Sequence, residues 1–328
     1  MVYLLDRSLT EPQKVRAFLR ARDLAAELGD EELARRNDEG NLTELPGIGP
    51  ATAGVISEAL AGKTPSYVTK LEAETVIPLG EGEELRSVLR GDCHSHSTWS
   101  DGGASIAQMA RTAQALGHDY LVVTDHSPRL TVAHGLTAER LRAQLEEIHD
   151  LNERLAPFRI LTGIEVDILP NGDLDQRDEL LAQLDVVVAS VHSKLRMPRD
   201  EMTRRMVLAA ANPRVDILGH CTGRKVVGSR RPASQFDPDI VFAACQRFDV
   251  ALEINCRPER QDPPEDLLAL AVDWGLNFAI DTDAHAPGQL EWQAYGCDKA
   301  AKAGIPRDRI VNTQPAADLV AWAGSNPV

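Results

Sequence analysis

Two histidines lie one residue apart in the stretch DCHSHSTWSDGG, which runs from Asp92 to Gly103. In an extended segment, residues i and i+2 project to the same side, so His94 and His96 can present both imidazoles to one metal ion. The pair is a weak signal by itself, because two polar residues are also common where a strand ends. A metal site is indicated only if further metal-binding side chains converge on the same place.

Seven further candidate ligands lie at the ends of apolar runs or, in the case of Asp101, in the SDGG turn after the two histidines. They are four histidines, His126, His192, His220 and His285, and three carboxylates, Asp101, Glu165 and Asp283. Mixed imidazole and carboxylate ligands suit zinc, manganese or iron, and the absence of cysteine from these positions disfavours a closed structural zinc site. Nine donors exceed the needs of one ion. We therefore predict two or three divalent transition-metal ions that share a bridging carboxylate, a centre able to activate water and to neutralise a phosphoryl group.

Five apolar runs rich in Val, Ile and Leu end at these polar residues and predict buried strands. They are YLVVTDH (120–126), RILTGIEVDI (159–168), DVVVASVHS (185–193), VDILGHCTGR (215–224) and LNFAIDTDAH (276–285). Helical amphipathic patterns separate them, for example over 106–116 and 141–155. This alternation predicts parallel βα units closed into a barrel with its site at the carboxyl ends of the strands. An open doubly wound sheet, the alternative, concentrates its site at one switch point.

The motifs HSHSTWSDG, TDH, GIEVDI, ASVHS, GHCTGR and DTDAH, in this order and spacing, resemble those of the PHP (polymerase and histidinol phosphatase) superfamily. The resemblance covers about residues 90–325 and implies an α/β fold, a distorted (β/α)7 barrel with a trinuclear metal centre. Asp101 and the block from Gly163 to Ser193 resemble in particular the PHP domain attached to bacterial family X DNA polymerases.

The resemblance also distributes the nine ligands among three ions, with Glu165 bridging the first two. It implies His94, His96, Glu165 and Asp283 for the first ion, Glu165, His192 and His220 for the second, and Asp101, His126 and His285 for the third.

Three more residues are candidates for contact with a phosphorylated substrate. Arg224 in GHCTGR and Arg257 in NCRPER follow strand-like runs, where a guanidinium fork could bind phosphate oxygens in pairs. Surface salt bridges are the alternative for both arginines. His134 lies in a predicted loop and is a candidate contact at the rim of the barrel. His118 and His149 are more simply packing or solvated residues.

The sequence is helical in pattern before about residue 77, and later short apolar runs alternate with helical patterns. This change predicts two domains. We expect a helical domain over 1–77, a linker over 78–90 that is rich in glycine and charge, and the barrel over 91–328. No polymerase palm lies between the two domains, so we expect no templated DNA synthesis.

The stretch LTELPGIGPATAGVISEAL (42–60) has the signature of a helix-hairpin-helix motif, with Gly47 and Gly49 in a tight turn. Backbone N–H groups at such a turn can bind a DNA phosphate without base contacts; a plain helical hairpin is the alternative. With Lys14, Arg16 and Arg20, the segment resembles the small N-terminal domain of family X polymerases. Val55 stands where lyase-active relatives carry the Schiff-base lysine, so we predict no lyase activity by that mechanism.

Composition limits the partners. The formal charge of −15 and the pI of about 5.1 give no general attraction to nucleic acid or anionic membranes. Residues 1–90 carry 11 Lys+Arg and 16 Asp+Glu, so DNA binding there would be weak and local. Five scattered cysteines without CxxC spacing suit a reduced compartment. No apolar run approaches a membrane span and no signal peptide is evident at the N-terminus, so we expect a cytoplasmic protein.

Together these features favour a metal-dependent phosphoesterase, a hydrolase that acts on DNA ends or strands, such as a 3′–5′ exonuclease in DNA repair. The first alternative is a phosphomonoesterase for a small metabolite such as histidinol phosphate, with the first domain a relic. The second is a non-catalytic protein that binds DNA ends, which the complete ligand set disfavours.

Overall fold

The structure of the protein, a computed structural model, describes residues 1–325. It divides into two compact units, Met1–Ile77 and Pro78–Val328. Among the described residues, no helix is both long enough and apolar enough to cross a bilayer.

The first unit consists of helices α1 (Val2–Arg7), α2 (Pro12–Asp38), α3 (Pro50–Leu60) and α4 (Ser66–Glu74), with a short 3-10 turn at Leu42–Glu44. α2 is interrupted at Gly29, whose φ of 76° breaks the helical geometry. Both parts of α2, the turn after it and α3 enclose a small apolar core that includes Leu33, Leu45 and Ile48. The all-helical character expected of this part of the chain is confirmed.

The second unit contains seven parallel strands in the order in which they occur along the chain. They are β1 (Gly91–Asp92), β2 (Tyr120–Val123), β3 (Arg159–Asp167), β4 (Val186–Ser190), β5 (Ile217–Leu218), β6 (Ala251–Asn255) and β7 (Phe278–Asp281). A parallel bridge between Ser95, after β1, and Ala284, after β7, joins the two outer strands. The predicted distorted (β/α)7 barrel is therefore confirmed.

Helices surround this barrel. They are α5 (Glu83–Val88), α6 (Ile106–Ala115), α7 (Ala138–Leu155), α8 (Asp178–Leu181), α9 (Arg199–Ala210), α10 (Pro238–Phe248), α11 (Glu265–Asp273), α12 (Gln293–Lys302) and α13 (Ala316–Ala323). The predicted amphipathic face of α6 is the buried one, with Ile106, Met109, Ala110 and Ala113 inward. Apolar side chains of β2, β4, β5 and β6, such as Val122, Val188, Ile217 and Ala251, fill the barrel interior.

The segment predicted as a linker, residues 78–90, contains regular structure. Residues Gly80–Gly82 form a 3-10 turn, α5 follows at once, and both pack on α12. A Cβ at Gly82 would lie 2.3 Å from the backbone nitrogen of Asp298, so the approach requires glycine. This segment belongs to the second unit.

Each of the five predicted strand runs contains an observed strand. The candidate ligands of four runs lie in the segments just after their strands, whereas Glu165 lies within β3 itself. β6 was not among the predicted runs, although Val250–Asn255 has the same apolar-to-polar layout.

Candidate metal centre

His94 and His96 lie in the segment after β1, on either side of Ser95. The Ser95 hydroxyl donates to the carbonyl oxygen of Val122 at 2.7 Å, and its N–H donates to Thr124 Oγ1 at 3.0 Å. These bonds fasten Ser95 to the end of β2, which leaves the two imidazoles together, with ring centroids 5.1 Å apart. Both histidines are fully buried. The predicted i, i+2 arrangement is what brings them to one place.

The Glu165 carboxylate, on β3, is at the centre of the histidine cluster. Five imidazoles have a nitrogen within 3.5 Å of one of its oxygens: His94 at 3.3 Å, His96 at 3.5 Å, His126 at 2.9 Å, His192 at 3.1 Å and His220 at 2.9 Å. They reach it from the ends of four different strands. Glu165 is therefore placed where a bridging carboxylate would have to be.

The remaining three candidates lie next to this cluster. His285 Nε2 is 3.4 Å and His126 Nε2 is 3.6 Å from Asp101 Oδ1. Asp283 Oδ1 is 3.5 Å from His96 Nε2, and the backbone of Asp283 has a φ of 52°, a strained conformation of the kind found at functional sites. All nine predicted ligands are thus brought together at the carboxyl ends of the strands.

Among the described residues, three groups offer ligand atoms that all lie within 4.8 Å of one another. They are His96, Asp101, His126 and His285; His94, His96 and Asp283; and His126, Glu165 and His192. Their membership differs from the distribution that the resemblance implied, because His96 and His126 each fall in two groups. The assignment of individual ligands to individual ions remains a prediction.

The donors of the cluster fit metal ions, because many of them lack other partners. Among the described residues, the buried atoms without a hydrogen bond include both ring nitrogens of His96 and of His192, His94 Nε2, His220 Nδ1 and Glu165 Oε2. Burying an unpaired polar atom is costly, and native proteins contain few of them. Nitrogen and oxygen atoms that converge in this way are suitable ligands for zinc, manganese or iron.

The carboxylates of the cluster are held in their ionised form. Burial alone would raise the pKa of Glu165, but His192 and His94 foremost hold it well below its usual range. Burial would likewise raise the pKa of Asp283, but Arg257 foremost, together with His96, His94 and Arg260, holds it well below its usual range. Burial lowers and Glu165 raises the pKa of His192, with a net increase to about 9. Two buried carboxylates thus keep their negative charge for cations.

A second layer of carboxylates orients the histidines, and sequence reasoning did not find it. Glu253 Oε1 is 2.5 Å from His94 Nδ1, and the other oxygen of Glu253 accepts the backbone N–H of His220. Asp167 Oδ1 lies 3.5 Å from His192 Nδ1. Such partners fix the ring orientation of metal-binding histidines. Glu253 belongs to β6, whose run ALEIN was not among the five runs singled out as strands that end in ligands, and its carboxylate within that run is the signal that could have found it.

A cavity of about 300 Å³ opens beside the cluster. Asp101, His126, His192, Asp283 and His285 line its inner part, and Leu130, Val132, Ala133, Lys225, Arg257, Glu259 and Arg260 complete its wall. The predicted phosphate-binding residue Arg257 is therefore present, with its Nη1 3.0 Å from His285 Nδ1. Lys225 and Arg260 are cations of the same wall that the sequence analysis did not single out.

Two predicted substrate contacts lie elsewhere. Arg224 does not line this cavity, because its guanidinium donates to the backbone carbonyl oxygens of Arg260 and Gln261. These backbone contacts disfavour a direct phosphate contact from Arg224, which stays a prediction. His134 is exposed, with a φ of 55°, and its loop presents Leu130 and Val132 to the cavity instead.

In the first unit, three of the predicted DNA-contacting residues lie close to one another. Gly47 has a φ of 88° and lies beside Arg20, with Arg16 one helical turn away, and both arginines are exposed. Lys14 lies over the ring of Tyr67 instead, at 4.8 Å.

The amide of Gly49 has a hydrogen-bond partner within its own turn. It donates to Thr52 Oγ1 at 2.9 Å. The part predicted for Gly49 as a backbone donor to DNA stays a prediction that this bond disfavours, and Gly49 lies at the start of α3.

Comparison with known families and proteins finds several relatives of this chain. The family model described as "PHP domain" matches residues 92–224. The chain is 40% identical over 238 residues to the DNA polymerase/3'-5' exonuclease PolX of Bacillus subtilis, an alignment that covers 73% of this chain and 41% of PolX. It therefore spans less than half of the length of that relative. It is also 29% identical over 234 residues to a probable phosphatase of Thermoanaerobacter sp., which covers 68% of this chain and 89% of the phosphatase.

Among solved structures, the histidinol phosphate phosphatase of Lactococcus lactis, in complex with zinc, L-histidinol and phosphate, matches with a TM-score of 0.49 and 21% identity. The match covers 66% of this chain and 94% of that one. The family match begins at Asp92, at the end of β1, and ends at Arg224, after β5, so it contains seven of the nine clustered side chains. Residues 92–224 of the second unit therefore match the PHP domain.

Proposed function

We propose that this protein hydrolyses phosphoester bonds with the help of two or three divalent zinc, manganese or iron ions. The observation that carries the proposal is the convergence of nine imidazole and carboxylate side chains around Glu165, beside a cavity with a cationic wall. Ions held there would lower the pKa of a bound water and offset the negative charge that a phosphoryl group gains during hydrolysis.

Three further roles would fall to side chains that line the cavity or lie behind the metal cluster. Arg257 would bind the phosphate oxygens, since its guanidinium stands at the entrance to the cluster. Glu253 accepts from His94 and keeps that ring in one orientation. Leu130 and Val132, the latter 84% exposed, form an apolar side of the mouth, where the organic part of a substrate would lie.

We further propose that DNA ends are the substrate, in a 3′–5′ exonuclease reaction of DNA repair. Two features support this choice: the 40% identity with PolX, and a first unit in which Arg16, Arg20 and the Gly47 turn lie together as a helix-hairpin-helix motif would place them. The binding would be backbone-mediated and weak, because few cations are present. A reduced cytoplasm would keep the five buried thiols free.

A small phosphomonoester, such as histidinol phosphate, is the second candidate. It is favoured by the similarity to a probable phosphatase over 89% of that protein's length and by the net charge of −15, which repels a long polyanion. A purely DNA-binding role would leave the assembled ligand set without a purpose.

One assay separates the candidates. Purified protein with manganese or zinc is incubated with 5′-labelled single-stranded DNA, with a nicked duplex and with p-nitrophenyl phosphate. We expect the DNA to shorten from its 3′ end, and we expect no shortening by a Glu165→Gln variant purified in parallel. Turnover of the monoester with intact DNA would establish the phosphatase instead. No hydrolysis with either metal would leave only DNA binding.

A further inference from the structure

A tight loop after β6 presents two arginines to the cavity of the metal centre. We call residues 256–262 the arginine loop. A hydrogen bond closes it, because the N–H of Asn255, just before the loop, donates to the carbonyl oxygen of Asp262, its last residue, at 2.9 Å. Within it, the N–H of Arg260 donates to the carbonyl oxygen of Arg257 at 2.9 Å. The turn therefore sends the side chains of Arg257 and Arg260 to the same cavity wall.

Arg260 has unused hydrogen-bonding capacity there. Its side chain is 12% exposed, and its Nε lies 3.2 Å from Asp283 Oδ2. Among the described residues, its buried Nη1 has no hydrogen-bond partner. A buried guanidinium N–H without an acceptor is unfavourable, whereas a tetrahedral oxyanion in the cavity would supply acceptors that match the planar fork of arginine.

Two cations hold the arginine loop from its other side. Arg224 donates through Nε to the carbonyl oxygen of Arg260 at 3.1 Å and through Nη2 to that of Gln261. Lys299, on α12, donates to the carbonyl oxygens of Gln261, at 2.9 Å, and Pro263. Arg224 and Lys299 line a different cavity, of about 620 Å³, behind the loop. They contact its backbone, and neither lines the cavity of the metal centre.

We propose that Arg260 is a second phosphate-binding residue of this site and that Arg224 and Lys299 are positioning residues, which hold the arginine loop so that Arg260 reaches the phosphate. The proposal rests on the proposed function, because it assumes that phosphate enters this cavity. It gives Arg224 an indirect role in place of the direct contact that its sequence position indicated.

Equilibrium binding of inorganic phosphate to the metal-loaded full chain, measured by calorimetry, tests the role of Arg260. We expect Arg260→Met to weaken phosphate binding roughly tenfold or more, the effect of losing a charge-assisted hydrogen bond. Arg230→Met is the matched control, since Arg230 is exposed and lines neither cavity, and we expect it to bind phosphate like the wild type.

Arg260→Lys keeps a positive charge beside Asp283 but loses the planar fork. We expect unchanged metal content and phosphate binding weakened severalfold. The proposal would be overturned if both Arg260→Lys and Arg260→Met bound phosphate with wild-type affinity. If Arg260→Met alters the metal content, the phosphate affinity of Arg260→Lys alone decides.

A double-mutant cycle tests the positioning role. Arg224→Met should weaken phosphate binding severalfold in the wild-type background, but less than twofold where Arg260 is already methionine. Lys299→Met should behave in the same way. A general loss of stability would instead weaken binding equally in both backgrounds, and that result would overturn positioning. If the wild type binds phosphate yet hydrolyses no phosphoester, the proposed function fails while the calorimetry still decides the role of Arg260.

Discussion

At the scale of single residues, the site depends most on Glu165. One buried carboxylate faces five imidazoles within 3.5 Å, whereas Asp101 has two histidines at 3.4 and 3.6 Å and lies at the edge of the cluster. A carboxylate can bind two ions through its two oxygens, and an amide in its place is a weaker ligand without charge. The two acidic residues should therefore differ in how many ions depend on them.

We predict that Glu165→Gln loses more than one metal ion per chain and that Asp101→Asn loses at most one. The reason is that the first change affects a bridging position and the second a peripheral one. Elemental analysis of protein purified without chelator, where we expect two or three ions in the wild type, measures both. If the two variants lost the same single ion, Glu165 would not be the bridge.

At the scale of elements, the segment before β1 stabilises the barrel instead of merely connecting it to the first unit. α5 carries Arg86, whose Nη2 donates to the carbonyl oxygen of Leu116 and lies 3.4 Å from His118 Nε2. His118 follows α6 and is buried. Burial, together with the charge of Arg86, lowers the pKa of His118 to about 3.

This contact makes the stability of the second unit sensitive to acid. Because the folded pKa of about 3 lies below the ordinary value of 6.5, the unfolded chain binds a proton between these pH values and the folded chain does not. His118 therefore lowers the free energy of unfolding as the pH falls from 6.5 towards 3, by up to about 1.4 kcal/mol per pH unit. We predict that His118→Gln unfolds with a shallower dependence on pH in this range.

Urea unfolding in the presence of chelator, followed by tryptophan fluorescence, measures the effect, since all four tryptophans lie in the second unit. His149→Gln is the control, because that side chain on α7 is 78% exposed and we expect the wild-type profile. Parallel profiles for the wild type and His118→Gln would contradict the prediction.

At the scale of the whole molecule, an acidic barrel is joined to a small helical unit. Residues 78–328 contain 26 Lys+Arg and 37 Asp+Glu, a net charge of −11, so the barrel by itself repels a long polyanion. If the first unit binds DNA, even weakly, it would raise the concentration of the strand near the metal centre without changing the chemical step.

We therefore predict that residues 78–328 alone hydrolyse a small chromogenic phosphoester like the full chain but have a KM for DNA that is roughly tenfold higher or more, with kcat nearly preserved. The fragment should begin at Pro78, because a later start would remove the turn and helix that pack on α12. Steady-state kinetics of both proteins on both substrates measure this. Equal efficiency on DNA with and without residues 1–77 would refute the tethering role.

The sequence by itself determined the class of barrel and the convergence of nine ligands, for a physical reason. Parallel strands that alternate with helices must end at one rim, so a side chain that follows a strand is placed there whatever the details of packing. The i, i+2 spacing of His94 and His96 and the strand-end positions of Glu165 and Asp283 belong to this kind of local information.

Only the tertiary structure decided the contacts that depend on loops and distant elements. Arg224 and Arg257 both follow strand-like runs, yet the path of the arginine loop sends one behind that loop and the other into the cavity. The same holds for Glu253 under His94 and for α5 on α12, where the partners are more than a hundred residues apart. Such pairings arise from the packing of elements that are distant in the chain, and no local pattern encodes them.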